Sequence, residues 1–206
     1  MTSGFFIRAA QPMDIPAVVS VHQSAFKGFF LTRMGPAFLR VLYRGFLNDP
    51  TGVFLVACRD ASPDEAVGFV AGTTAPATFF RDQLRKHWIR YLAAAFFPLL
   101  MSPSLVIQKL WSALFYRGET LPELPNAALL SSLGVLPQLQ GAGLGNQLVK
   151  SFLNVCKEKG LPAVYLTTDQ SDNDKANAFY QRCGFRLAGA CKRPPQRILN
   201  RYLIEL

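Results

Sequence analysis

Residues 129–145 read LLSSLGVLPQLQGAGLG, an apolar run followed by a glycine-rich loop. The apolar run starts at residue 127 and ends at 135, which is short and well bounded, as expected of a buried strand. After the loop, apolar side chains recur at three- and four-residue spacing, at Leu144, Leu148, Phe152 and Val155. Gly160-Leu161-Pro162 ends this pattern. The sequence therefore predicts a strand, a glycine loop and a helix in that order.

The predicted glycine loop lies where an anion can bind. The first amide N–H groups of a helix have no partner inside the helix, and they lie at the positive end of its dipole. Glycines lack a Cβ atom, so they let a bulky phosphate or pyrophosphate come close to those amides. A simple tight turn would explain the same glycines, and so would a dinucleotide site of the G-x-G-x-x-G kind.

A second pattern follows the predicted helix. Residues 163–168, AVYLTT, indicate another strand, and 169–173 a polar turn. Residues 173–185, NDKANAFYQRCGF, indicate a short helix that Asp172 or Asn173 caps and that Gly184 ends in a left-handed turn. Ala176 and Tyr180 are four residues apart and share a face of this helix.

The two patterns together resemble the GNAT superfamily of acyl-CoA-dependent N-acyltransferases. The first is Q-x-x-G-x-G at 140–145, and the second is N-x-x-A-x-x-x-Y-x-x-x-G-F at 173–185. They stand in the family's order, with room between them for one helix and one strand, and they cover about the last third of the chain. The resemblance implies an α/β (α+β) fold. Its central sheet would be mixed but mostly antiparallel, with helices on both faces and a splayed pair of fourth and fifth strands.

The resemblance also implies a site and a donor, acetyl-CoA. Tyr180 would be the general acid toward the departing sulfur. The cofactor-binding residues would be the main-chain groups of two strand residues, the amides of the loop and one side-chain amide: Leu133, Val135, Gln140, Gly141, Ala142, Gly143, Leu144, Gly145 and Asn173. No general base can be assigned, because the strand offers Ser131 and Ser132 in place of a carboxylate, and Glu123 lies in a loop.

Composition agrees with one domain over residues 1–206. Half of the residues are hydrophobic and 17% are charged, which excludes a disordered chain. The net charge of +9 favours anionic ligands or surfaces. The basic residues are dispersed and match no recognition motif, so nucleic acid is not expected as a partner.

The four cysteines predict neither a metal site nor a disulfide framework. They contain no C-x-x-C pair, and no histidine cluster accompanies them. We expect reduced, buried thiols and no bound metal. The first residues lack the apolar core of a signal peptide, so the expected location is cytoplasmic.

The N-terminal half fits the resembled family in its order of elements. We predict a strand at 5–8, a helix from Asp14 to Phe26, a second helix at 36–47, and strands at 52–58 and 66–72 joined by residues 59–65. In the family, the first two helices and their connection form a wall of the acceptor site. His22 either faces that site or packs in the core with a hydrogen bond to the backbone.

Residues 75–125 are the main departure from the family pattern and predict a helical insertion. An apolar stripe at helical spacing predicts a first helix and comprises Phe80, Leu84, Trp88, Tyr91 and Ala95. A second helix is expected at 105–116. Residues 91–107 are uncharged but contain Pro98 and Pro103, so a membrane-spanning helix is not expected. Three interpretations of the insertion are open: it is part of the core, it lines a deeper acceptor pocket, or it docks at a membrane surface.

These observations favour an N-acetyltransferase that moves an acetyl group from acetyl-CoA to a primary amine in a ternary complex. The amine would belong to a small molecule such as an amino sugar. A non-catalytic CoA-binding module, with the insertion contacting a membrane or a protein, is the alternative. A dinucleotide-dependent oxidoreductase fits less well, because the glycines are spaced G-x-G-x-G.

Overall fold

A computed structural model describes residues 4–101, 126–193 and 197–206. Its strands are β1 Phe5–Ala9, β2 Gly52–Arg59, β3 Ser62–Thr73, β4 Ala128–Val135, β5 Ala163–Asp169, β6 Arg186–Arg193 and β7 Arg197–Glu205. Its helices are α1 Ile15–Ala25, α2 Phe30–Arg33, α3 Gly35–Asn48, α4 Pro76–Met101, α5 Leu144–Glu158 and α6 Asp174–Arg182. Short 3-10 turns precede α1 at Pro12–Asp14 and α5 at Pro137–Leu139.

The strands form one mixed sheet in the order β1-β2-β3-β4-β5-β7-β6. Only β4 and β5 are parallel, and they pair at just two positions, Ala128 with Val164 and Leu129 with Tyr165. Beyond Leu129 the two strands diverge. This topology confirms the predicted fold class, including the splayed fourth and fifth strands.

A bulge in β4 lies where the two strands begin to part. On β3, Ala71 pairs with Ser132 and Gly72 pairs with Leu130, so Ser131 is the extra residue in β4. A bulge bends its strand and increases the local twist. The bend therefore helps to turn the second half of β4 away from β5.

Helices cover both faces of the sheet, as predicted. On one face, α5 packs through Leu148, Phe152 and Cys156, all fully buried. On the other face, α1 and α3 pack through residues that include Ile15 and Tyr43. Full burial of one large apolar side chain stabilises the fold by about 1.5–3 kcal/mol, so each face contributes a substantial core.

Asp14 precedes the first residue of α1 and does not cap the helix. Asp14 stands at the N-cap position, but its side chain makes no capping bond to α1. Its buried carboxylate instead accepts a hydrogen bond from the Gln11 amide at 2.7 Å and two from the Arg8 guanidinium at 2.6 and 2.8 Å. The ion pair ties β1 to the first turn of the helical segment.

Two further differences concern strands. The connection predicted at residues 59–65 is much shorter, because β2 and β3 continue until Arg59 pairs with Ser62. Strands β6 and β7 were not predicted at all. β7 lies between β5 and β6, and its apolar residues fall on both faces, so it lacks the alternation that marks a half-buried strand.

The predicted insertion is described only in its first part, as helix α4. Tyr91 and Ala95 of its predicted apolar stripe are buried, but Trp88 is 58% exposed. The backbone at His87 is not helical (φ −126°, ψ 23°), and this kink changes which side of the helix the following residues occupy. The predicted helix at 105–116 and Glu123 lie outside the described residues. Within the described ranges, no helix has the length and apolar character needed to cross a membrane.

Candidate functional site

A cavity of about 840 Å³ occupies the gap between the diverging strands. Both strands contribute to its wall, together with the segment between α1 and α3, helix α6 and the start of β7. The lining residues are His22, Phe26, Lys27, Gly28, Phe29, Phe30, Leu31, Arg33, Ser131, Ser132, Leu133, Thr167, Thr168, Asp169, Asn173, Ala176, Phe179, Tyr180 and Arg197. Because the α1–α3 segment and α6 cover opposite faces of the sheet, the cavity is lined from both faces.

The inner edge of β4 directs main-chain donors into this gap. The Leu136 amide donates to the Val67 carbonyl of β3 at 3.0 Å. Main-chain groups of an antiparallel strand alternate in direction along the chain. The N–H groups of Leu133 and Val135 therefore point the other way, toward β5, where the strands no longer pair.

The glycine loop leaves the N-terminus of α5 open to an anion. Gly141 and Gly143 have positive φ angles of 89° and 79°, and nothing lies within 4 Å of the place where a Cβ atom would stand on either. Gly143 is the N-cap residue and provides no capping side chain. The Gln147 amide donates to the Gly143 carbonyl at 3.1 Å, so the three preceding amides, at 144–146, have no acceptor within the helix. This open, uncapped end fits a diphosphate.

The loop lies next to the cavity rather than in its wall. None of residues 140–145 is among the lining residues. A Cβ atom on Gly145 would lie 3.3 Å from the ring of Phe179, which does line the cavity. The structure thus brings Leu133, Asn173 and Tyr180 together and places the loop beside them across one aromatic ring.

Tyr180 presents a protonated phenol to the cavity. The side chain is 9% exposed and lies edge-on to Phe179 and Phe185, with ring centroids 5.1 and 5.9 Å away. Burial raises the pKa of its phenol above the ordinary value. Among the described residues, none forms a hydrogen bond with this hydroxyl. The proton is therefore present at neutral pH and available to a group in the cavity.

Asn173 stands at the N-cap of α6, but its side chain makes no capping bond. Its amide therefore remains available to a ligand in the cavity. A neighbouring residue, Asn177, holds α6 against β5: its side-chain oxygen accepts from the Thr168 hydroxyl at 2.6 Å, and its amide nitrogen donates to the Asp169 carbonyl at 3.1 Å. These two bonds fix the helix that carries Asn173 and Tyr180.

His22 lies at the cavity and bonds to a side chain, not to the backbone. Its Nδ1 is 2.6 Å from the Tyr43 hydroxyl, and its Nε2 is buried without a partner among the described residues. Burial lowers the pKa of His22 to about 4. Burial raises the pKa of the Tyr43 phenol, and an interaction with the Ser132 side chain partly offsets that rise. Ser132 in the cavity wall is thus linked through Tyr43 to a neutral imidazole.

The sequence did not predict three cationic side chains in the cavity wall. Lys27 lies between α1 and α2, and Arg33 is the last residue of α2, so both belong to the connection between the first two predicted helices. Arg197 starts β7 and forms a two-point ion pair with Asp169, one contact of which is 2.7 Å long. That hydrogen bond raises the pKa of Arg197. Within the described ranges, no three or more His, Cys, Asp or Glu side chains group as metal ligands would.

Comparison with known proteins assigns the family. The family model described as "Acetyltransferase (GNAT) family" matches residues 107–185. A mycothiol acetyltransferase of Arthrobacter sp. (strain FB24) is 45% identical over 53 residues, which are 26% of this chain and 16% of that protein. N-alpha-acetyltransferase 30 of Schizosaccharomyces pombe is 31% identical over 70 residues, 34% of this chain and 43% of that protein. The matched part is thus less than half the length of either relative.

Solved structures share the whole fold. An N-acetyltransferase of Staphylococcus aureus Mu50 aligns with a TM-score of 0.61 at 14% identity, over 98% of this chain and 99% of that one. The PaiA N-acetyltransferase of Thermoplasma acidophilum, solved in complex with coenzyme A, aligns with a TM-score of 0.58 at 15% identity, over 96% and 98%. By sequence, residues 107–185 match the GNAT family of acetyltransferases, and the fold is the one that these solved acetyltransferases share.

Proposed function

We propose that this protein is an acetyl-CoA-dependent N-acetyltransferase that acetylates a primary amine of a small molecule. The observation that carries the proposal is the convergence of Leu133, Asn173 and Tyr180 on one cavity in the β4–β5 gap, beside the uncapped start of α5. A volume of about 840 Å³ lies within the range usual for small-molecule pockets, about 300–1,000 Å³.

In this proposal, main-chain amides bind the donor. Those of the loop from Gln140 to Gly145 hold the diphosphate of CoA, because the open end of α5 offers several N–H groups to one anion. The N–H groups of Leu133 and Val135 face the gap and donate to the thioester oxygen or to the pantetheine arm. Asn173 contributes its side-chain amide.

The transfer itself requires one new bond and one broken bond. The neutral amine nitrogen attacks the thioester carbon, forming a C–N bond and placing negative charge on the oxygen. When that intermediate collapses, the C–S bond breaks and the thiolate takes the proton of the Tyr180 phenol. The amine nitrogen loses a proton to water, and the tyrosinate recovers one from water. The products are an amide and free CoA thiol.

Replacement of Tyr180 by Phe tests this role. We expect turnover to fall about ten-fold or more, because general acid catalysis commonly contributes about 10²–10⁴-fold. The affinity for acetyl-CoA should stay nearly unchanged, because the ring and its packing remain. Release of free thiol measures the first quantity and calorimetry the second.

Tyr202→Phe is the matched control for that experiment. Tyr202 is also a buried tyrosine, 2% exposed, but it lies on β7 outside the cavity wall. We expect it to keep wild-type turnover. Equal turnover in Tyr180→Phe and wild type would remove Tyr180 from the mechanism.

The acceptor proposed here is an amino sugar. An amino sugar is a primary amine of suitable size for the cavity. The matched relatives are named a mycothiol acetyltransferase and an N-alpha-acetyltransferase, so they support acetyl transfer and do not agree on one substrate. An amine panel scored for thiol release identifies the acceptor.

A non-catalytic CoA-binding module is the second candidate function. The outer side of α4 exposes large apolar side chains that a partner or membrane could cover, including Trp88, Ile89 and Phe96, each 58–65% exposed. Binding of acetyl-CoA without thiol release in the presence of any amine would favour this function over acetyl transfer.

A further inference from the structure

We propose that the acceptor of this site is an amine that also carries an acidic group, a carboxylate or a phosphate, and that Lys27 and Arg33 bind that group. This inference rests on the proposed function. It adds the chemical class of the substrate, which neither the motifs nor the relatives specify.

The first support is the charge balance of the cavity wall. Three cations and one carboxylate line it: Lys27, Arg33, Arg197 and Asp169. Arg197 and Asp169 neutralise each other through their two-point ion pair. No described residue forms an ion pair with Lys27 or Arg33. The two cations therefore face the cavity with their charge uncompensated.

The second support is their position relative to the donor site. Lys27 and Arg33 belong to the segment between α1 and α3, whose helices pack on one face of the sheet. The glycine loop begins α5, which packs on the opposite face. The sheet thus separates the two cations from the amides assigned to the CoA diphosphate, so an anion bound by Lys27 and Arg33 belongs to the other reactant.

The third support is the surface between the two cations. Phe26, Phe29 and Phe30 of the same segment also line the cavity. Lys27, Arg33 and Phe29 are solvent-exposed, so a ligand can reach this part of the wall from solvent. Arginine offers a planar fork of donors that matches both carboxylate and phosphate. A polyamine, with only positive charges, would be repelled by this wall.

Matched pairs of amines test the inference. Phenylalanine and phenethylamine differ by the carboxylate, and glucosamine 6-phosphate and glucosamine differ by the phosphate. We expect the acidic member of at least one pair to bind about ten-fold more tightly, by calorimetry with protein saturated with CoA. Comparison of the two pairs distinguishes carboxylate from phosphate. Raising the ionic strength to about 1 M, where the Debye length is about 3 Å, should reduce the preference.

The double variant Lys27→Gln/Arg33→Gln should abolish the preference and leave the affinity for the member without an acidic group within about two-fold. Arg40→Gln is the control, because Arg40 is an exposed cation on the neighbouring helix α3 and does not line the cavity. It should retain the preference. Equal binding of the members with and without an acidic group, or a preference that survives in the double variant, would overturn the inference.

Turnover separates this inference from the proposed function. Equal thiol release from the amines with and without an acidic group, in both pairs, would leave acetyl transfer standing and reject the acidic acceptor. Selective binding of an acidic amine that Lys27 and Arg33 control, without thiol release from any amine, would keep the anion site and reject acetyl transfer.

Discussion

His22 is enclosed by aromatic rings, and its charge state follows from that environment. The ring centroid of Phe26 lies 4.7 Å from that of the imidazole, and that of Phe69 lies 6.4 Å away. A protonated imidazole carries an N–H group at both ring nitrogens, and Nε2 has no acceptor among the described residues. Burial of an unpaired charge is costly, so the neutral form is favoured and the pKa falls to about 4.

The low pKa of His22 predicts a loss of stability in acid. Between its ordinary value of 6.5 and about 4, the unfolded chain binds a proton that the folded protein does not. The contribution is therefore fully present above pH 6.5 and declines as the pH falls toward 4, by up to about 1.4 kcal/mol per pH unit. Urea unfolding at several pH values measures this slope.

His22→Gln is the comparison for that slope, because glutamine can still hydrogen-bond to Tyr43 but does not titrate. We expect the variant to be less stable at neutral pH and to lose less stability than the wild type on acidification. Parallel curves for the two proteins would show that His22 does not control the acid response.

Among the elements, α5 begins and ends beside glycines in the same left-handed conformation. Gly143 precedes its first residue with a φ of 79°, and Gly160 follows its last turn with a φ of 71°. Neither would bring a Cβ atom within 4 Å of another group. An alanine at either position therefore meets the same backbone strain and no clash, yet only Gly143 adjoins the amides assigned to the donor.

This pair of glycines provides a matched test of the anion site. Because left-handed backbone costs an L-residue about 1–2 kcal/mol, both Gly143→Ala and Gly160→Ala should lower the melting temperature by similar amounts. Only Gly143→Ala should weaken CoA binding, by about five-fold or more, since the strain displaces the loop. Calorimetry with CoA measures the difference. Equal CoA affinity in both variants would place the diphosphate elsewhere.

Elements with a local signal were predicted well from the sequence. The strand, loop and helix at 127–160 carry an apolar pattern, glycines and a stop within one short stretch, so their bounds follow from neighbouring residues. β7 and the end of the β2–β3 hairpin depend on which strands pair, which residue spacing does not reveal. The exposed position of Trp88 depends on a kink at His87 that periodicity also does not reveal.

Some residues of the candidate site could be predicted from a local sequence motif, and others could not. Asn173 and Tyr180 were identified because their spacing resembles a family motif, and both line the cavity. Lys27, Arg33 and Arg197 come from opposite ends of the chain and meet only through the sheet topology. In the sequence, no local pattern distinguishes these three basic residues from the other lysines and arginines.

At the scale of the whole molecule, the sheet consists of two parts with a weak junction. β1 to β4 form one part, and β5, β7 and β6 form the other. Only two residue pairs join them through β4 and β5. The gap that makes room for the cavity therefore removes main-chain hydrogen bonds from the middle of the fold.

Donor binding is expected to stabilise the whole protein. A ligand that binds only the folded state adds about 2.7 kcal/mol at a concentration of 100 times its Kd. For a protein of this size, that corresponds to an increase in melting temperature of about 5–11 °C. Differential scanning fluorimetry with acetyl-CoA measures the shift. NADH is the control and should give none, whereas a shift with NADH alone would favour the dinucleotide-dependent alternative.

The cavity between β4 and β5 is lined by residues from both faces of the sheet. The segment that contains α2 lies on one face, and α6 lies on the other. Under the proposed function, donor and amine would therefore contact the protein from opposite faces, and we expect neither to require the other for binding.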